Sequence, residues 1–213
     1  MVHGIEMILA TVRYNGKSDL LMLSVIANNT VCTSNIEAAA TVIQQGGVVA
    51  YPTESCFGLG CDPENITAIK RILKIKKRKR EKGVILIADR FERFNIYIHP
   101  LEDKVLETIK GSWPGPNTWL CPAKSSCSPW LKGGYANLAI RVTAHTPAAK
   151  LAQKSNCALV STSANVSSKP ALTQSQSVVK EFDGLVDLVL DLPIGGDLNP
   201  STIRNATTGE VIR

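Results

Sequence analysis

Between Ser34 and the C-terminus, apolar residues occur in two patterns: the spacing of amphipathic helices and the short continuous runs of buried strands. Ser34-Asn-Ile-Glu37 has the form of a capping box, Ile36, Ala39, Ala40 and Ile43 form one stripe, and Gly46-Gly47 stops the helix. Val48–Tyr51 reads as a buried strand that Pro52 ends. Asp62-Pro63 is expected to start the next helix, with Asp as cap and Pro in the first turn, striped by Ile66, Ile69 and Leu73. Gly83 breaks the chain, and Val84–Ala88 follows as a central strand, apolar on both faces. Residues 101–110 form an amphipathic helix, 111–116 a rigid loop, 118–121 a strand, 125–135 a loop-rich stretch and 137–142 another strand. Pro147 opens a helix reaching Gln153, and Ala158–Ser161 is a strand running into Ser161-Thr-Ser-Ala-Asn165. A helix over 173–182, a strand over 185–190, a turn region over 194–200 and a terminal hairpin around Thr207-Thr-Gly209 complete the chain. Helices and strands interleave, and hairpins also occur. The fold class is therefore α+β (mixed α/β): a single domain with one mixed sheet flanked by helices.

The apolar run Leu20–Ala27 faintly resembles a signal peptide, but Asp19 abuts it and Asn28 and Asn29 follow. The expectation is a leader over residues 1–30, with Met22 as the native start, ahead of a domain over 31–213. The chain has 213 residues, 44% hydrophobic and 20% charged, which excludes a disordered chain, a collagen repeat and a coiled-coil rod. No apolar run reaches the roughly 20 residues of a membrane helix. Aromatic residues at 5% are sparse for a module that stacks single-stranded bases. The six cysteines include no C-x-x-C pair and match no zinc spacing. They read as reduced thiols in a cytoplasmic protein, with no metal site among them.

Charge changes the picture more. The net charge is +6, but Lys70–Lys82 holds nine basic residues and one acid, so the rest of the chain is slightly acidic. One basic block on a near-neutral body speaks for a polyanionic partner, against the alternative of a solvated helix face.

Four segments carry candidate chemistry. Tyr51-Pro-Thr53-Glu-Ser-Cys-Phe57-Gly-Leu-Gly60 offers hydroxyls and a carboxylate at a strand end, with glycines that permit close approach; a polar turn with a capping Thr is the alternative. Lys76 and Arg78 lie two apart, so in an extended segment both would point at one polyphosphate. The segment matches no P-loop. Ser161, Ser163 and Asn165 alternate at a strand end and suit one side of a polar pocket, or a simple turn. Arg141 sits between Ile140 and Val142, and a charge there needs an anion or a carboxylate partner.

Taken in order, Pro52-Thr-Glu54, Lys76-x-Arg78, Trp113-Pro-Gly-Pro-Asn-Thr118, Arg141-Val142, Ser161-Thr-Ser-Ala-Asn165 and Asn199-Pro-Ser-Thr-Ile203 resemble the YrdC/TsaC family in its short bacterial form. The resemblance runs from Ser34 to the C-terminus. It implies a strongly twisted mixed sheet with a basic concave face. It also implies synthesis of threonylcarbamoyl-adenylate and pyrophosphate from L-threonine, bicarbonate or CO2 and ATP, for modification of tRNA beside the anticodon. ATP would be a substrate carrying its own Mg2+, with no bound metal or organic cofactor. By the same resemblance Lys76 and Arg78 would contact phosphates, and Ser163 and Asn165 the nucleotide and carbamate. Thr53, Thr118, Arg141 and Ser161 would bind substrate. Lys74, Lys77, Lys79, Arg80 and Lys82 would hold tRNA or double-stranded RNA, and the product would pass to a tRNA threonylcarbamoyl transferase complex. There is no membrane partner. Two residues depart from the family pattern: Phe57 stands where many relatives have Tyr, and Thr143 where many have Pro. The rival function is a non-catalytic RNA-binding module, and a second is an enzyme acting on sugar phosphates.

Overall fold

The computed structural model describes residues 6–14, 17–25, 30–167, 169–196 and 199–213. Two antiparallel strands come first, β1 (Glu6–Tyr14) and β2 (Lys17–Val25), with Leu9 opposite Met22. The expected leader, residues 1–30, lies outside the described residues at 1–5, 15–16 and 26–29; its described part is this hairpin.

β3 (Val31–Thr33) pairs with β2 and leads into α1 (Ile36–Gln44). The cap of α1 is Asn35, not Ser34: its side chain accepts from the Ala38 amide at 3.0 Å, and Glu37 pairs with Lys154 rather than reaching back. β4 (Val49–Pro52) and β5 (Phe57–Gly60) make a tight antiparallel pair. The glycines that suggest a turn, Gly58 and Gly60, thus lie within a strand. α2 (Ile66–Ile75) starts three residues later than Asp62-Pro63 suggests. Asp62 closes the preceding turn through Glu64 N–H, and Asn65 caps the helix through Ala68 N–H.

The remaining elements are β6 (Ile85–Ala88), α3 (Asp103–Gly111), β7 (Asn117–Pro122), the short α4 (Pro129–Lys132), β8 (Asn137–Val142), α5 (Thr146–Ser155), β9 (Leu159–Ser163), α6 (Ser175–Phe182), β10 (Leu188–Leu190) and β11 (Thr202–Asn205). The loop over 111–116 is tied down by two indoles: Trp113 Nε1 donates to Asn117 O and Trp119 Nε1 to Ser112 Oγ. Together the strands form one mixed sheet in the order β1-β2-β3-β10-β4-β5-β9-β6-β8-β7-β11. β10 lies parallel between β3 and β4, β6 is parallel to β8, and β11 joins the far edge parallel to β7. The terminal hairpin forms as expected, through Asn205 N–H to Glu210 O and Ile212 N–H to Ile203 O.

Strand alternation divides the core into two layers. On one face Ala50, Leu59, Leu86, Ile140 and Val160 pack under α2 and α6. On the other, Val49, Tyr51, Ile87 and Leu159 pack under α1 and α5, where Ala39, Ala40, Ala148 and Ala152 let the two helices come close. Those helices cover β10, β4 and β6 but not the β8–β7–β11 end. There Ala139 and Leu120, in mid-strand, remain half-exposed. This bare stretch of the sheet is where a ligand has room.

Candidate functional site

The bare stretch is floored by one cross-strand row: Ser161 on β9 opposes Ile85 on β6, Ile85 opposes Ala139 on β8, and Ala139 opposes Leu120 on β7. A cavity of about 390 Å³ opens over it. Arg78, Lys82, Lys132 and Arg213 stand on its rim, and no acid lines it. An apolar floor under a rim whose charged side chains are all cationic suits a flat heterocycle carrying phosphates. A second hollow, of about 440 Å³, lies across the sheet between the starts of α1 and the end of α5, far from the polar residues described next.

The Lys-x-Arg pair is not extended. α2 ends in a Schellman motif: Arg78 N–H reaches Leu73 O, Lys77 N–H reaches Lys74 O, and Lys77 takes the left-handed conformation at φ 50°. A lysine stands where glycine is the usual choice, which costs about 1 kcal/mol. The reversal brings Lys76 back toward the end of β9. Lys76 is 2% exposed, and its ammonium bonds to Ser163 O, to Asn165 O at 2.8 Å and to Asn165 Oδ1 at 2.9 Å. Ser163 Oγ also donates to Asn165 Oδ1, at 2.7 Å, and Asn165 Nδ2 donates to Lys169 O. Lys76, Ser163 and Asn165 therefore form one hydrogen-bonded unit. Burial, and secondarily the charge of Arg78, pushes the Lys76 ammonium down to about 8. Arg78 spends Nε and Nη2 on the carbonyls of Lys82 and Gly83. Its remaining edge faces the cavity.

The next group surrounds the turn after β4. Thr53 donates its hydroxyl to Cys56 O at 2.7 Å, closing the turn, and so acts as the capping Thr. A Cβ on Gly58 would touch Thr53, Ser161 and Tyr51 at 3.4–3.5 Å, so these three side chains converge on that glycine. Phe57, one residue earlier, is buried in the opposite layer, so its missing hydroxyl removes nothing from this surface.

Glu54 and Arg141 form the buried ion pair that the sequence demanded, Oε2 to Nη2 at 3.1 Å. The contact lacks good hydrogen-bond direction, and Glu54 Oε2 and Arg141 Nε have no hydrogen-bond partner among the described residues. Glu54 Oε1 accepts from Thr143 Oγ1 at 2.7 Å. His145, the cap of α5, donates Nε2–H to Pro193 O at 3.1 Å, and Gly195 N–H donates to Thr53 O at 2.9 Å. The 193–196 segment is thereby strapped over the Thr53-Glu54 turn. A side chain at Gly195 would meet Glu54 Cα at 2.9 Å. Thr118 is fully buried, with Oγ1 at 2.8 Å from Ser201 Oγ.

Of the residues singled out from sequence, Lys76, Ser163 and Asn165 come together, Thr53 and Ser161 meet at Gly58, and Arg141 and Thr118 project from neighbouring strands to the same face. Lys74, Lys77, Lys79, Arg80 and Lys82 are all exposed, and Arg80 lies over the Trp130 ring. Glu54, Thr143, His145 and Ser201 were missed as site residues. The signal for Glu54 was present, since Arg141 called for an anion or a carboxylate. Among the described residues no three His, Cys, Asp or Glu side chains gather as a metal-holding group. All six cysteines are free, and burial pushes Cys121 and Cys157 up to about 12.

The chain resembles known proteins over most of its length. The Sua5/YciO/YrdC family model, described as "Telomere recombination", matches residues 41–213. The threonylcarbamoyl-AMP synthase of Nitrosococcus oceani is 45% identical over 178 residues, 84% of this chain and 96% of that protein. That of Thiobacillus denitrificans is 45% identical over 172 residues, 80% of this chain and 90% of its own length. Among solved structures, P. abyssi Sua5 complexed with L-threonine aligns at TM-score 0.78 and 30% identity over 84% of this chain. The chain spans 53% of that longer protein. E. coli YciO shares the fold, with TM-score 0.73 at 21% identity over 84% of this chain and 87% of its own.

Proposed function

The chain belongs to the Sua5/YciO/YrdC family, and from that membership we propose that it is a threonylcarbamoyl-AMP synthase, a nucleotidyltransferase that joins L-threonine, bicarbonate or CO2 and ATP. The observation that carries the reading is the adjacency of two features. One is a groove with a cationic rim; the other is the buried guanidinium of Arg141, two residues along β8 from Ala139 in the groove floor.

The threonine amine, once carboxylated, is an N-carboxylate. Its oxygen attacks the α-phosphorus of ATP, the bond to the β-phosphate oxygen breaks, and pyrophosphate leaves. Nucleophile and target are both anionic, so catalysis rests on positioning and on fixed positive charge. Arg141 supplies the fixed positive charge for the amino acid's carboxylate, a charge-assisted contact. Ser161 and the Thr53 turn supply the polar wall beside it. The free edge of Arg78 takes phosphate oxygens at the rim. Lys76 has all three ammonium protons committed to protein oxygens, so it acts by holding the Ser163–Asn165 turn and by its field. Magnesium arrives as part of the nucleotide substrate.

The exposed lysines after α2 form a second surface suited to the phosphates of tRNA or double-stranded RNA, from which the adenylate would pass to a transferase complex. No helix among the described residues is long and apolar enough to cross a membrane, and we place the protein in the cytoplasm with its tRNA.

The test is mass spectrometry of a short reaction of protein, ATP, magnesium, bicarbonate and threonine, omitting each in turn. An adenylate of the mass of threonylcarbamoyl-AMP that needs every component is expected. Folded protein giving neither adenylate nor threonine-dependent pyrophosphate would return the case to the RNA-binding module.

A further inference from the structure

Thr143 follows β8 and is 2% exposed. Its N–H extends the sheet by one more bond, to Ala88 O at 3.1 Å. Its hydroxyl sits between two groups: the His145 N–H at 3.2 Å and Glu54 Oε1 at 2.7 Å. The order of donors is forced. An amide N–H only donates and a carboxylate only accepts, so the hydroxyl takes the amide proton and gives its own to Glu54. The other oxygen of Glu54 faces Arg141 Nη2 at 3.1 Å. The ion pair holds that end of the planar guanidinium by charge, since the contact is not an aligned hydrogen bond. Nε is buried and has no hydrogen-bond partner among the described residues, so the 10% of the side chain still exposed lies elsewhere on it. A buried guanidinium N–H without a partner is rare and expensive, and a side chain kept at that cost has a role beyond packing.

We infer that Thr143 is a positioning residue for the amino-acid substrate: through Glu54 it sets the angle at which Arg141 meets the substrate carboxylate. The inference deepens the synthase reading and rests on it. A proline at this position would have neither an N–H for Ala88 nor a hydroxyl for Glu54, so the lock depends on threonine's own groups. The lock acts on the amino acid and leaves the phosphate rim, on the other side of Ile85, untouched.

The experiment measures KM for threonine and for ATP separately, with kcat, in the unaltered protein and in Thr143→Val, Thr143→Cys and Thr143→Ser. Thr143→Val keeps the shape and the N–H and deletes the hydroxyl; Thr143→Cys replaces it with a poor donor; Thr143→Ser restores it. Loss of one such charge-assisted bond is expected to raise KM for threonine about tenfold in Val and Cys. In the same variants kcat and KM for ATP stay within about twofold, and Ser matches the unaltered protein. If Val does not fold, the comparison of Cys with Ser carries the test. An unchanged KM for threonine in Val or Cys, an equal rise in both KM values, or failure of Ser to restore the first would each overturn the inference. The unaltered protein reports separately on the parent reading, because absence of threonine-dependent adenylate there sinks the synthase itself. In that event the lock is read from the Arg141 Nε–H signal of arginine-labelled protein by NMR. One sharp signal retained in Ser and broadened in Val supports it; an identical signal in both refutes it.

Discussion

Nζ of Lys76 stands 2.9 Å from Oδ1 of Asn165 and 2.8 Å from the main-chain oxygen of the same residue. With Ser163 O as the third partner, three protons meet three acceptors. Loss of one proton leaves an acceptor bare and removes the only charge in the unit. Burial sets that loss at about 8, so the synthase rate should fall along an alkaline limb near that value. Stability should move the other way. The folded pKa lies below the unfolded 10.5, so between the two values the unfolded chain binds more protons. The contribution of this group to folding therefore grows as pH rises through that window. A pH–rate profile beside denaturant melts checks both, and a rate flat across the window would refute the coupling.

Two glycines on β5 should respond differently to alanine. At Gly60 the new Cβ would lie 2.6 Å from both Tyr51 Cε1 and Val160 O, so overpacking should cost about 1–3 kcal/mol in a denaturant melt. At Gly58 the nearest atoms are 3.4–3.5 Å away, an ordinary contact. Gly58→Ala should fold normally but crowd the space between Thr53 and Ser161, raising KM for threonine. Equal stability of the two variants would contradict the packing.

His145 should make the fold sensitive to acid. Burial holds its imidazole below the usual 6.5, against an opposing pull from Glu54. The unfolded chain then binds the proton first, so stability is present above 6.5 and is lost as pH falls below it. Melts of the unaltered protein and His145→Gln over about pH 5–7.5 should converge at the acid end. Parallel curves would assign the acid loss elsewhere.

On the basic surface, Lys79→Ala should weaken binding of tRNA and flatten its salt dependence by about one phosphate contact. Adenylate synthesis measured without RNA should stay within about twofold, because Lys79 is exposed and lies outside the cavity lining. A synthesis rate that falls in step with RNA affinity would merge the two surfaces into one.

Periodicity made most elements legible. The strand 137–142 matched at both ends because apolar residues alternate around Arg141. β5 was not legible. Two glycines in four residues read as a turn; at Gly60 the Tyr51 ring occupies the space a Cβ would need, whereas Gly58 has room for an ordinary contact. Both early helix caps were misplaced for a simpler reason: Asn35 and Asn65 compete with Ser34 and Asp62, and only backbone geometry decides between them. In the site, the residue types were visible but their partners were not. Lys76 and Arg78 looked like a pair in an extended segment, whereas a left-handed residue at Lys77 turns the first onto Asn165 and the second toward the groove. Thr143 drew notice as a departure from the family pattern, but its bond to Glu54 spans 89 positions of chain, which no local pattern reports.

The place of β10 has a consequence for how the protein is made. Residues 188–190 fill the gap between strands ending at residues 33 and 52. As the chain leaves the ribosome, those two early strands have no middle partner until residues 188–190 have been synthesised. Until then β4 holds the Thr53-Glu54 turn on a sheet with an open seam, an edge of unpaired amides and carbonyls open to other chains. A chain truncated before Leu188 would thus be not a weaker enzyme but a protein that cannot close its sheet. Quality control acting on nascent chains should therefore see this protein as all or nothing.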